Sequence, residues 1–190
     1  MSKQETTDYR AYRSTFTKKA QQIVQKLSLE EKIYLMSGLR TMEEVRKSIQ
    51  KKVNTHYNEV PYRAGGIDGK VPPVLFADGT KGVVCDRKTY TCFPVESMRG
   101  ASFDPMLEKE IGEAIGAEVL LAGANLFGGI CVNLPYHPGW GRAQETFGED
   151  PYLLGEMGAA LVEGVQTTGV IACVKHFAFN SMENARFEVD

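Results

Sequence analysis

The sequence runs to 190 residues, enough for one globular domain with a sizeable core, and its hydrophobic fraction of 43% and charged fraction of 24% are those of an ordinary soluble protein. A net charge of −2, with acids and bases spread along the chain, excludes the basic footprint that nucleic acid or an anionic membrane surface would select. No run approaches the roughly 18–20 apolar residues of a membrane span, and the polar opening MSKQETTDYRAYR has no signal-peptide core, so the expected location is cytoplasmic.

In chain order, residues 14–37 are expected to form two helical pieces. Ile23, Val24 and Leu27 supply the first apolar stripe. Ser28 and Glu31 have the Ser-x-x-Glu spacing of a capping box, opening a second helix through Ile33, Leu35 and Met36 to Gly38. A short helix near 42–52 and then loop are expected up to AGGIDGK. Val74–Phe76 is short and wholly apolar, which suits a buried strand, and an irregular stretch follows to about residue 103. Asp104-Pro105 then starts a strong helix, with Asp at the N-cap, Pro at the first helical position, an apolar face of Leu107, Ile111, Ala114, Ile115 and Val119, and a stop at Gly123. Gly129–Leu134 reads as a second buried strand. Asp150-Pro151 repeats the start signal before Leu154, Met157, Leu161 and Val165, and Val170–Val174 reads as a third strand. Strand, helix, strand, helix, strand indicates an α/β protein with parallel strands. Cys131 and Cys173 sit in apolar strands and read as reduced core residues; Cys85 and Cys92 share one loop, where a pairing stays open, and no spacing indicates a metal site.

Each strand ends in polar groups: Asp78 after the first, Asn133 and His137 after the second, Lys175 and His176 after the third. Functional residues of parallel α/β folds gather at the carboxyl ends of strands. A lysine and a histidine together suit a polyhydroxylated ligand, because one donates and the other donates or accepts. Two alternatives stand beside that reading: a salt-bridged lysine with a turn-capping histidine, and a lysine that forms a Schiff base with a carbonyl substrate. GWGRAQETFGEDP (139–151) presents Glu145, Glu149 and Asp150 as candidates for the paired carboxyl groups of glycoside hydrolysis, but Asp150 and Glu149 already serve the following helix start. Arg142 is the stronger functional candidate, since a guanidinium fork holds two neighbouring oxygens. ADGTKG (77–82) has too few glycines for a phosphate loop.

Taken together, FADGTKGV, GWGRAQETFGEDPYL, VKHFAFN and ENARFEVD, with LSLEEKIYLMSG before them, resemble the N-terminal barrel domain of glycoside hydrolase family 3, β-glucosidase type, from about residue 14 to the end. The resemblance implies a TIM-like (β/α)8 barrel, of which residues 71–190 form the first, incomplete part after a helical lead-in and loop over 1–70. It also implies retaining hydrolysis of a terminal β-linked glucose or xylose, carbohydrate metabolism, and chemistry that needs no metal or organic cofactor. It further implies substrate-binding roles for Asp78, Arg142, Lys175, His176 and Arg186, ringing one sugar of a β-glucoside or oligosaccharide. KHFAFNSMEN favours the glucosidase or xylosidase branch over the N-acetylglucosaminidases, whose segment runs Pro-Gly-His-Gly. Asp78-Gly79-Thr80-Lys81-Gly82 departs from the family's usual Asp-Gly-Pro-Arg-Gly.

The nucleophile that the resemblance implies is an aspartate, commonly in Ser-Asp-Trp, yet Trp140 of the arginine motif is the chain's one tryptophan. A full barrel takes about 250 residues, and about three barrel strands are readable. No catalytic residue is therefore assigned within the chain; nucleophile and acid/base are expected downstream, with the remainder of the barrel and a second domain supplied by the same or another chain. Alternatives are half of a split enzyme and a non-catalytic sugar-binding fragment.

Overall fold

The computed structural model describes residues 11, 14–37, 43, 62–85, 88–177 and 180–184. These fall into two compact units. The smaller contains α1 (Thr17–Val24), α2 (Leu29–Leu35) and residues 64–73. The capping box forms as expected: the Ser28 hydroxyl accepts from Glu31 N at 3.2 Å, and the Glu31 carboxylate accepts from Ser28 N at 2.8 Å. The helix expected near 42–52 lies outside the described residues.

The sheet has the order β1 (Tyr62–Ala64), β2 (Val74–Ala77), β3 (Leu126–Cys131), β4 (Ile171–Lys175), of which β2, β3 and β4 lie in the larger unit. β2, β3 and β4 run parallel, with Ala77 opposite Phe127 and Cys131 opposite Lys175. Parallel neighbours require crossovers, and these carry α3 (Glu96–Gly100) with α4 (Pro105–Leu121), then α5 (Pro151–Thr167). Both Asp-Pro starts behave as expected. Asp104 Oδ1 accepts from Met106 N and Leu107 N at 3.0 and 3.1 Å, and Asp150 Oδ1 accepts from Leu153 N at 2.7 Å. Leu154, Met157, Leu161 and Val165 all face inward, joining Ile115, Val119, Phe127, Ile130 and Phe147 in one core. No helix among the described residues is long and apolar enough to cross a membrane.

Four expectations are corrected. The second strand starts three residues earlier than expected, at Leu126, and carries a register irregularity between Phe127 and Ile130. The glycines there serve close approach: a Cβ on Gly128 would lie 2.4 Å from the Phe76 ring, and one on Gly129 would lie 2.2 Å from Gly79 O. α4 buries Glu108, Gly112, Ile115, Gly116 and Val119, while Leu107 and Ala114 are exposed. The rotation follows from how α4 meets α5: a Cβ on Gly164 would come within 2.1 Å of Lys109 O, so the backbones touch where larger side chains would hold them apart. α3 interrupts the stretch expected to be irregular. Finally, Cys173 is exposed, not core, because β4 ends the sheet order and its Ile171, Cys173 and Val174 are exposed; Cys131 is buried, and all four cysteines are free thiols.

Candidate functional site

The carboxyl ends of β2, β3 and β4 bring four of the five expected binding residues into one network; Arg186 lies outside the described residues. Asp78 follows β2 and begins a tight loop, in which its carbonyl accepts from Val84 N at 2.7 Å and its Oδ1 from Gly79 N at 2.8 Å. Gly79 takes φ +124°, and a Cβ there would meet Gly82 O at 1.9 Å, so the turn is restricted to glycine. Across the sheet, Lys175 Nζ donates to Asp78 Oδ1 at 2.9 Å, with the two side chains 16% and 17% exposed. This ion pair holds an ammonium and a carboxylate at the rim of the barrel strands, each keeping further donor or acceptor capacity. The salt-bridged lysine that stood as one alternative in the sequence is thus present, paired with Asp78.

Lys175 is joined to His176 by a cis peptide bond. His176 is fixed from β3. Its backbone N–H donates to Asn133 Oδ1 at 2.7 Å, which orients the Asn133 amide, and its Nδ1 lies 2.9 Å from the same oxygen. Because that oxygen only accepts, Nδ1 carries the hydrogen and Nε2 presents a lone pair. Arg142 Nη1 meets Nε2 at 3.1 Å and is the donor there. Asn133 is held in turn by the strand end, where Thr146 Oγ1 donates to its carbonyl at 2.6 Å.

Arg142 lies just before the 3-10 turn Ala143–Glu145. Its Nε donates to Glu145 Oε1 at 2.9 Å and its Nη2 to Glu145 Oε2, and Glu183 lies 3.9 Å from Nη1. The Glu145 hydrogen bond in particular holds the guanidinium above its ordinary proton affinity. The fork expected to clasp two ligand oxygens is therefore occupied by Glu145. Arg142 acts on its surroundings through Nη1 and the outer hydrogens of its Nη groups. Of the acids in the same motif, Glu145 is the arginine's partner and Asp150 caps α5, while Glu149 is exposed.

His137 is not brought into the network: its Nδ1 accepts from Gly139 N at 2.9 Å and closes the turn before Trp140. Asn133 and Glu145 are the partners that sequence reasoning left out of the ring. The buried group Glu96, Arg99 and Glu108 went unnoticed, although the i, i+3 acid–base pair in VESMRG was a signal. The arrangement as a whole offers a carboxylate acceptor, an ammonium donor, a guanidinium and an imidazole, each held by a second polar group. That combination suits a ligand carrying several hydroxyls.

The family profile described as glycosyl hydrolase family 3 N terminal domain matches residues 13–185. Beta-glucosidase B of Emericella nidulans is 34% identical over 172 residues, covering 88% of this chain and 18% of the relative. Thermostable beta-glucosidase B of Acetivibrio thermocellus is 32% identical over 179 residues, covering 88% of this chain and 21% of the relative. Among solved structures, beta-glucosidase 3B from Thermotoga neapolitana in complex with α-D-glucose superposes with a TM-score of 0.71 at 31% identity, over 87% of this chain and 24% of that one. DesR, a beta-glucosidase from Streptomyces venezuelae in complex with D-glucose, gives a TM-score of 0.75 at 26% identity, over 89% and 20%. The chain thus spans about a fifth of the length of the relatives it matches, and its parallel β/α units are the opening units of a TIM-type barrel. With the profile matching nearly from end to end, the chain belongs to glycosyl hydrolase family 3, in that family's N-terminal domain.

Proposed function

We propose that this chain supplies the pocket for the terminal, non-reducing sugar of a β-glucosidase-like exo-glycosidase. Asp78 accepts from sugar hydroxyls, Lys175 donates to them, and His176 and Arg142 close the ring, with Arg186 as a further contributor. The single observation that carries this reading is the 2.9 Å Asp78–Lys175 pair beside the His176–Arg142 contact, which joins the ends of β2 and β4 to the loop after β3. The matched relatives named as beta-glucosidases, and neighbours described in complex with glucose, support the same substrate class.

Retaining hydrolysis needs two carboxyl groups about 5–5.5 Å apart, one attacking and one acting as acid and base. Asp78 and Glu145 are committed to Lys175 and Arg142. The nucleophile and acid/base are accordingly assigned to polypeptide beyond this chain, in the remainder of the barrel and a second domain. Carbohydrate metabolism follows from the proposed substrate class, and a cytoplasmic location belongs to the same reading.

The test is calorimetric titration with D-glucose. The wild-type protein is expected to bind, and Asp78→Ala is expected to weaken binding by about a hundredfold or more, since it removes an acceptor and leaves a partly buried ammonium unpaired. Equal affinity in wild type and Asp78→Ala would sink the assignment of Asp78. Turnover of 4-nitrophenyl β-D-glucoside by the 190-residue chain alone would refute placing the nucleophile elsewhere.

A further inference from the structure

Glu96, Arg99 and Glu108 have side chains 0%, 3% and 1% exposed. Arg99 Nη2 lies 3.3 Å from Glu96 Oε1, and Arg99 Nε lies 3.5 Å from Glu108 Oε2. The guanidinium also stands over the Phe147 ring, 5.7 Å from its centroid. Two contacts lead outward from this group. Arg99 Nη2 donates to Thr80 O at 3.2 Å, inside the loop that Asp78 begins. Glu96 Oε1 accepts from Cys131 N at 3.5 Å, at the last residue of β3, which pairs in register with Lys175.

As a contribution to stability alone this is a poor use of the core. Glu96 Oε2, both Glu108 oxygens and Arg99 Nη1 are buried without a hydrogen-bond partner among the described residues. Apolar side chains of similar volume commonly match or exceed the stability of a buried charge group. What apolar side chains cannot do is donate to Thr80 O and accept from Cys131 N. Those two backbone groups flank the two halves of the Asp78–Lys175 pair.

We infer that Arg99 is a positioning residue for the sugar pocket: clamped by Glu96 and Glu108, it holds the Asp78–Val84 loop through Thr80 O and, through Glu96, ties that loop to the end of β3 beside Lys175. The inference deepens the pocket reading and rests on it for its effect on sugar binding. Fixing of the loop itself is measurable without any sugar.

The experiment follows amide hydrogen exchange in wild type and Arg99→Lys, together with D-glucose titration. Lysine keeps the charge, but one ammonium cannot span Glu96, Glu108 and Thr80 O at once. Exchange at Gly79 and Val84, whose N–H groups bond to Asp78, is expected to accelerate about tenfold or more, while Leu161 and Val165 of α5 change less than about threefold. Glucose dissociation is expected to weaken about tenfold. Should Arg99→Lys fail to fold, Glu96→Met keeps a side chain of similar length while removing the oxygens that face Arg99 and Cys131 N. It is expected to accelerate Gly79 and Val84 about threefold over α5. Uniform acceleration of loop and helix, or an unchanged loop, overturns the inference, as does full glucose affinity in Arg99→Lys where wild type binds. If wild type binds no glucose while the loop amides respond as stated, the pocket reading fails and the positioning role stands.

Discussion

Glu108 sits in the first turn of α4, where a carboxylate is normally exposed and stabilised, yet here it is buried. Burial raises its carboxyl from the ordinary 4.5 to about 7, against the opposing pull of Arg99. Glu96 is raised well above the ordinary range, chiefly by the same cause. A carboxyl raised on folding keeps its proton in the folded state at pH values where the unfolded chain has lost it. Its stabilisation is therefore complete below about pH 4.5 and is lost as pH rises through about 7. The shift of 7 − 4.5 = 2.5 pH units, at about 1.36 kcal/mol each, corresponds to about 3 kcal/mol. Glu108→Gln puts a neutral side chain of the same shape in place and removes this term. The stability of the variant relative to wild type is therefore expected to grow by about 3 kcal/mol between pH 4.5 and pH 8, or about 10 °C in Tm. Urea unfolding of both proteins across that range, with equal m-values as the check on two-state behaviour, measures the difference directly. A stability difference that stays constant within about 0.5 kcal/mol over the range would refute the reasoning.

Gly164→Ala is expected to destabilise by about 2–4 kcal/mol in chemical unfolding, because the new Cβ would stand 2.1 Å from Lys109 O and force α4 and α5 apart. Asn133→Leu keeps the volume but leaves His176 N–H and Nδ1–H without their acceptor. It is expected to cost about 2 kcal/mol and, in titration, to weaken glucose binding with Arg142 and Glu145 intact. In the folded 190-residue chain at pH 8, iodoacetamide is expected to label Cys92 and Cys173 and to spare Cys85 and Cys131, read by peptide mass. Cys131 is both buried and raised to about 11, chiefly by that burial.

The parts of this protein that were readable in its sequence are those whose causes are local. Each Asp-Pro helix start depends on one side chain and one or two amides within three residues, and both formed where expected. The face of α5 was readable because Leu154, Met157, Leu161 and Val165 differ sharply from their neighbours in hydropathy. The face of α4 was not, because what packs there is Gly112 and Gly116 against another backbone, and glycine has no hydropathy to display. The second strand was placed late for a related reason: its Gly128–Gly129 pair reads as a break, and only the position of Phe76 on the adjacent strand shows that the absence of a side chain is required. Cys173 was expected in the core and is exposed here, where no further strand lies beside β4 among the described residues.

The candidate site divides along the same line. Lys175 and His176 were legible because two polar residues end an apolar strand, and Asp78 and Arg142 because each stands in a motif. Their hydrogen-bond partners were less so, since several are far away in sequence: Asp78 is 97 residues from Lys175, and Asn133 is 43 from His176. Local pairing, too, reassigned chemistry. Arg142 reads as a free fork until Glu145 is seen to occupy it, and Glu145 reads as a spare catalytic acid until Arg142 is seen to hold it. A carboxylate engaged by two guanidinium N–H groups is a poor nucleophile and a poor proton donor, because both roles would require it to give up those bonds. The same pairing makes the guanidinium a fixed donor toward His176 Nε2, so the imidazole is held in one tautomer from both sides, by Asn133 and by Arg142. Such a site suits a ligand whose hydroxyl groups hold fixed positions, and under the glycosidase reading proposed above the attack on the sugar falls to a carboxylate that is not already bound.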